Sequence, residues 1–284
     1  MTEVAELASG KGHKDENFPV ASVIIAKEHR PAVMAFYNFV RLADDVSDNE
    51  IAPPEEKLRL LDALRASLEG ENDAVRQGVV LRELQKARGL SPVHALDLLE
   101  AFRRDCTKLR YTDWDDLIDY CRYSAMPVGR YVLDVHGESK DAWPLNDALC
   151  AALQVINHLQ DCGKDYKSLN RVYLPQDVLE KHGARVEDLA GTQCTPALKA
   201  VIAELAAKNG ELLKTSAAFA AHIRSKRLAL EVALIQRFAE DLNTWLLTRD
   251  PLCERVHHKK SELPALALSA FARFLAGRFK GDRA

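Results

Sequence analysis

The chain has 284 residues, of which 47% are hydrophobic and 29% charged, and a formal net charge of −3, the balance of a globular protein with a sizeable core rather than a disordered chain. Lysines and arginines are interleaved with aspartates and glutamates almost everywhere, so no basic surface stands ready for nucleic acid. No uninterrupted apolar stretch approaches the roughly 18 to 20 residues that span a bilayer, and no shift in composition marks a linker, which predicts one domain over 1–284 with a flexible start at about 1–14.

Met1 to Glu16 carry polar and charged residues throughout and lack the apolar core of a secretory signal, which predicts a cytoplasmic protein. Six scattered cysteines, Cys106, Cys121, Cys150, Cys162, Cys194 and Cys253, form no C-x-x-C pair and read as buried free thiols of a reducing compartment. Apolar residues then recur at three- and four-residue intervals, as in Leu58, Leu61, Leu64 and Leu68, and turn signals such as Pro53-Pro54, Gly89 and Gly183 fall between these stripes. The pattern predicts an all-α protein with helices at about 30–47, 54–69, 73–88, 92–107, 113–136, 145–163, 175–181, 196–223, 226–248 and 263–279. No period of roughly 30 to 50 residues repeats, so the helices predict a compact bundle rather than a solenoid.

The first helix is apolar from Phe36 until it delivers Asp44, Asp45 and Asp48. Asp44 and Asp48 lie one turn apart, about 6 Å along the axis, so their carboxylates point to one side. Negative charge at a helix C-terminus opposes the dipole and adjacent carboxylates repel, so a solvated helix end carries a cost that a cation would remove. Mg²⁺ takes oxygen ligands and is usually held by one or two carboxylates plus phosphate oxygens. Arg41, one turn earlier, offers a fork of donors suited to phosphate.

The helix at 145–163 carries a second acidic stripe. Asn157, Asp161 and Asp165 step at i, i+4 and i+8, with Gln154 and Gln160 beside them and Leu153, Val155, Ile156 and Leu159 supplying apolar packing. An oxygen-rich stripe in an apolar helix suits hard cations. His158 and Cys162 stand at i, i+4, but no second nitrogen and sulfur pair lies nearby, which argues against zinc. His257-His258-Lys259-Lys260, between Pro251 and Pro264, reads as a solvated loop before it reads as a metal or phosphate patch. The last predicted helix sets Leu263, Leu266, Ala270, Phe271 and Phe274 against Arg273, Arg278, Lys280 and Arg283, a pattern that fits packing on the bundle and, alternatively, rest on a bilayer surface.

Taken together, Asp44-Asp-Val-Ser-Asp48, then Asn157-x-x-Gln-Asp-x-x-x-Asp165, then Arg171-Val-Tyr-Leu-Pro175 resemble the signature of the squalene/phytoene synthase family, in order and spacing over about residues 14–250. The resemblance implies an isoprenoid-synthase helical bundle with a central active-site cavity. It also implies that Asp44, Asp48, Asn157, Asp161 and Asp165 hold Mg²⁺, and that Arg41, Arg171 and Tyr173 contact diphosphate. Glu16-Asn-Phe-Pro-Val-Ala-Ser22 and Tyr120-Cys-Arg-Tyr-Ser-Ala-Met-Pro-Val-Gly129 resemble the hydroxysqualene-forming branch that serves bacterial hopanoid pathways. Asn17 stands where the condensing relatives carry a hydroxyl that helps bind a second prenyl diphosphate.

What this branch implies is ionisation of presqualene diphosphate, opening of its cyclopropane and capture of the cation by water, to give hydroxysqualene and diphosphate. The nearest alternative within the family condenses two prenyl diphosphates. A non-catalytic assembly protein of the same fold would not need all five metal-ligand positions. Tyr120, Tyr37, Gln154 and Gln160 are candidates to position the water or shield the cation, or else are buried, hydrogen-bonded polar groups; Tyr37 lies one turn before Arg41 and in that case orients it. Phe18 either lines the cavity or anchors the N-terminal segment. The lipophilic product points to peripheral contact with the inner membrane and with neighbouring squalene-pathway enzymes.

Overall fold

The computed structural model describes residues 25–259, 261–262, 265–266, 268–269 and 271. The expectations for Asn17 and Phe18, and most of the last predicted helix, lie outside them. Among the described residues there is no strand, and one isolated bridge pairs Arg110 with Val172. The chain forms two compact units, Met1–Leu109 with Arg122–Gly137 and Arg110–Cys121 with Glu138–Ala284.

In the first unit, α1 (Arg30–Ser47), α2 (Pro54–Glu69), α3 (Arg76–Arg88), α4 (Val93–Asp105) and α6 (Met126–Val135) share one apolar core. The inward stripe of α1 is Ala32, Val33, Phe36, Phe39, Leu42, Ala43 and Val46, all buried. Phe36 stacks on Tyr131 of α6 with ring centres 3.9 Å apart, and the Tyr131 hydroxyl donates to the Ala32 carbonyl at 3.2 Å. Burying that hydroxyl with a partner avoids the cost of an unsatisfied polar group. The predicted helix at 113–136 is instead two, α5 (Trp114–Ser124) and α6, separated at Ala125 with φ −127° and ψ −49°. Pro127 lacks the N–H that a continuous helix would need, and its ring opposes the preceding turn.

In the second unit, α7 (Trp143–Leu169) lies against α9 (Pro196–Ser216) and α10 (Lys226–Leu246), and α8 (Gln176–His182) packs on α9. Two buried amides tie the three long helices. Asn209 of α9 donates to the Ala152 carbonyl of α7 at 3.2 Å and to the Asn243 side-chain oxygen of α10 at 2.9 Å, while Asn243 donates back to the Ala206 carbonyl at 2.9 Å. The start of α10 is held from a distance in sequence, since the buried Glu138 carboxylate accepts from the backbone N–H groups of Arg224 and Ser225, each at 2.8 Å. The helix predicted at 196–223 ends at Ser216, and a short 3₁₀ turn over Phe219–His222 follows.

The longest revision concerns α7, which continues six residues beyond the expected end at Gly163 and stops at Asn170, whose left-handed φ of 53° closes it. Gly163 is a packing residue here rather than a helix terminator. A Cβ on it would fall 2.4 Å from the Leu252 side chain and 3.3 Å from the Leu189 carbonyl oxygen. Asp165 therefore lies on the helix, on the same stripe as Asn157 and Asp161.

Candidate active site

The acidic pattern divides between the units, with Asp44 and Asp48 on α1 of the first and Asn157, Asp161 and Asp165 on α7 of the second. At the end of α1 the Arg41 guanidinium forks onto two carboxylates, reaching Asp44 at 3.0 Å and Asp45 at 2.9 Å. Of these two partners Asp45 is the buried one, so its pair with Arg41 is the better shielded from solvent. Asp44 is half-buried, with 32% of its side chain exposed. Burial, and then the negative charge of Asp48, push the Asp44 carboxyl up to about 7, with the Arg41 charge offsetting part of the effect. The helix end is otherwise capped: the Asp48 N–H donates to the Asp44 carbonyl at 2.9 Å, and the Lys57 ammonium donates to the Ser47 carbonyl at 3.0 Å. A cation at the helix C-terminus is favourable to its dipole. Tyr37 is half-buried on the same helix, one turn before Arg41.

On α7, Asn157, Asp161 and Asp165 are half-buried, whereas Val155, Ile156, Leu159 and Cys162 are buried. The chain then reverses at Asn170, and the Arg171 N–H donates to the Asp165 carbonyl at 3.2 Å. That closure sets Arg171, itself buried, beside the last turn of the carboxylate stripe. Segment 170–177 is held in turn by segment 110–112. Arg110 donates to the Asn170 side-chain oxygen at 2.7 Å, and the Gln176 N–H donates to the Tyr111 carbonyl at 2.9 Å.

A buried cluster of rings follows from this pairing. Tyr173 stacks on His158 with centres 3.6 Å apart and planes at 14°, and its ring lies 5.4 Å from Tyr111 and 5.5 Å from Tyr120. His158 is kept neutral, its pKa lowered to about 3 by burial and then by the nearby Arg171 charge. Its Nε2 meets the Gln154 amide nitrogen at 3.1 Å. Cys162, four residues on, is a thiol pushed up to about 12 by burial, which is unsuited to ligating a metal as thiolate.

Two expectations change in character. Gln160 is buried and its amide nitrogen donates to the Val256 carbonyl, so it tethers the segment after α10 to α7. In the stretch His257-His258-Lys259 both histidines are half-buried, the His258 ring lying 4.7 Å from Trp245 and 5.4 Å from Phe238, while Lys259 is exposed as a solvated loop would have it. Of the six free cysteines, Cys253 is exposed and Cys150 half-buried, and the other four are buried. Tyr111 and Arg110 were not singled out in the sequence, because they sit in a short connection where helical periodicity carries no signal. Tyr120 and Tyr173 were, and they meet in the ring cluster.

The comparison with known proteins agrees with this layout. A family model for squalene/phytoene synthase matches residues 11–262. A hydroxysqualene synthase of Zymomonas mobilis is 56% identical over 270 residues, covering 94% of this chain and 91% of that protein. A second, from Rhodopseudomonas palustris, is 53% identical over 281 residues, covering 99% and 96%. Among solved structures, the squalene synthase HpnC from Alicyclobacillus acidocaldarius superposes with a TM-score of 0.72 at 33% identity, covering 85% of this chain and 90% of that one. A dehydrosqualene synthase shares the fold at a TM-score of 0.77 and 21% identity. An all-α chain with these two acidic helices, followed by the Arg171 to Pro175 segment and matched along nearly its whole length, belongs to the squalene/phytoene synthase family.

Proposed function

We propose that the chain is a hydroxysqualene synthase, a carbon-oxygen lyase that ionises presqualene diphosphate and captures the rearranged cation with water. The observation that carries this reading is the identity of 49% to 56%, over nearly the full chain, to three proteins of that name. Its support in the site is chemical. The candidate ligands Asp44, Asp48, Asn157, Asp161 and Asp165 offer only oxygen, the donor that Mg²⁺ prefers. The Asp44 carboxyl, pushed up to about 7 beside Asp48, marks a place where positive charge is wanted.

When bound, Mg²⁺ supplies Lewis-acid stabilisation of the charge that grows on the leaving diphosphate. Arg41 in the first unit and Arg171 in the second each offer fixed guanidinium charge suited to diphosphate oxygens, and Tyr173 offers a phenol donor. Burial of Tyr120, Tyr173 and Tyr111 keeps bulk water from a reactive cation and offers ring faces to it. Tyr37, half-buried one turn before Arg41, is proposed to orient it; Asn17 and Phe18 lie outside the described residues. Tyr120 and Gln154 remain the candidates nearest to the capturing water, and Gln160 is assigned to holding the wall of the site through Val256.

None of the described helices is long and apolar enough to cross a membrane. A lipophilic alcohol as product supports peripheral contact with the inner membrane and with neighbouring squalene-pathway enzymes, to which it would be passed on. Purified protein with Mg²⁺ is offered presqualene diphosphate alone and farnesyl diphosphate alone. Hydroxysqualene from the first and no product from the second is the expected result. Product from farnesyl diphosphate alone would assign the chain to the condensing enzymes instead.

A further inference from the structure

His158 is not needed for the fold in any obvious way, since a leucine or phenylalanine would fill its buried place on α7 more cheaply than a polar ring. The ring is nevertheless held in one plane by its stack on Tyr173 at 3.6 Å, with Tyr120 6.0 Å away. Its Nε2 lies 3.1 Å from the Gln154 amide nitrogen. An amide nitrogen can only donate, so Nε2 accepts, the ring is neutral with its proton on Nδ1, and the Gln154 carbonyl oxygen is the end of the amide that points away from the ring.

At about 100° per residue, Gln154 projects from α7 between the directions of Asp161 and Asp165, and His158 about 40° to one side. Gln154 thus lies on the carboxylate face of the helix about one turn before Asn157, and His158, directly after Asn157, lies at the edge of that face.

We infer that His158 is a positioning residue that locks the Gln154 amide so that its carbonyl oxygen holds the water that captures the carbocation. The inference rests on the function proposed above and deepens it. The carbon to oxygen bond of the substrate breaks and its electron pair stays on diphosphate. The water, giving one hydrogen bond to the Gln154 oxygen, turns a lone pair toward the cationic carbon and forms the new carbon to oxygen bond. Its surplus proton ends on the released diphosphate, so atoms and charge balance. A neutral amide anchored by a neutral ring suits the task, because a stronger nucleophile would itself be alkylated by the cation.

The test measures two quantities in the same reaction with presqualene diphosphate and Mg²⁺: diphosphate released and hydroxysqualene formed. H158F keeps a ring against Tyr173 but removes the acceptor, and its yield of hydroxysqualene per diphosphate released is expected to fall about tenfold in favour of elimination products and other alcohols. H158Q restores an acceptor near the position of Nε2 and is expected to recover most of the ratio. A wild-type ratio in H158F overturns the inference while leaving the proposed function standing. Should H158F fail to fold, Q154M, which keeps the chain length and loses the amide, is read in the same way, and a wild-type ratio there is equally fatal. If the wild-type protein itself releases no diphosphate from presqualene diphosphate, the functional reading fails and the inference falls with it.

Discussion

Asp44 and Asp48 are joined across one turn, the Asp48 N–H donating to the Asp44 carbonyl at 2.9 Å, and burial followed by the charge of Asp48 raises the Asp44 carboxyl to about 7 from its ordinary 3.8. With Asp44 proposed as a Mg²⁺ ligand, a proton would compete with the cation for its carboxylate. Mg²⁺ affinity is expected to weaken as pH falls from 8 to 6, with proton uptake on metal release. Calorimetric titration of Mg²⁺ in the presence of inorganic diphosphate, in buffers of different ionisation enthalpy, measures both quantities. Affinity that does not change across this range contradicts the placement of Asp44 at the metal.

The same shift has a consequence for stability without metal. A carboxyl whose folded pKa lies above its unfolded value binds more protons when folded, so its contribution to stability is fully present below about 3.8 and is lost as pH rises through about 7. Asp44→Asn removes that loss. In EDTA the variant is expected to melt above the wild type at pH 8 and to lose most of that advantage at pH 5, while its Mg²⁺-dependent activity disappears. Thermal melts at the two values check the sign.

Asp161 lies in the middle of the α7 stripe and is half-buried. Asp161→Asn preserves shape and removes one charge, so turnover is expected to fall by about a hundredfold or more, the scale on which lost transition-state electrostatics act. Mg²⁺-dependent diphosphate binding should weaken with it. The melting temperature in EDTA should stay within a few degrees of wild type. Unchanged turnover would refute the assignment of the stripe to metal.

The amide tie between α7, α9 and α10 makes a different prediction, about the frame rather than the chemistry. Asn209→Leu deletes the donors to Ala152 and Asn243 in a place with no exposure. A loss of about 2 to 4 kcal/mol in urea unfolding is expected, since two buried partners are left unsatisfied. The folded fraction should retain its substrate preference.

Much of this molecule could be read from spacing alone, and the failures have local causes. The ends of α1 and α2 follow from Pro and Gly punctuation, and the carboxylate stripes are visible because polar residues interrupt apolar helices at helical period. The break at Ala125 was hidden because the apolar stripe continues through it, while Pro127 decides against a continuous helix. Arg110 and Tyr111 escaped notice because their partners, Asn170 and Gln176, are some sixty residues away, and pairings of that range leave no trace in a periodic pattern. His158 was weighed only against Cys162 as a metal pair, whereas its partners proved to be Gln154 on its own helix and Tyr173 beyond it.

Gly163 lies inside α7, six residues before its end, and it supplies a decisive substitution. Glycine within a helix ordinarily costs about 1 kcal/mol relative to alanine, so Gly163→Ala should stabilise α7 if propensity governed. The Cβ would instead fall 2.4 Å from the Leu252 side chain, in the segment that Gln160 tethers through Val256. Overpacking of this kind typically costs about 1 to 3 kcal/mol, so the net effect is expected to be destabilising. Leu252→Ala in the same chain removes the clashing atom, and the double variant should recover most of what the single one loses. Urea unfolding of the two single variants and the double variant gives the coupling directly. Additive losses would mean that Gly163 ends up in the middle of α7 for some reason other than the close approach of Leu252.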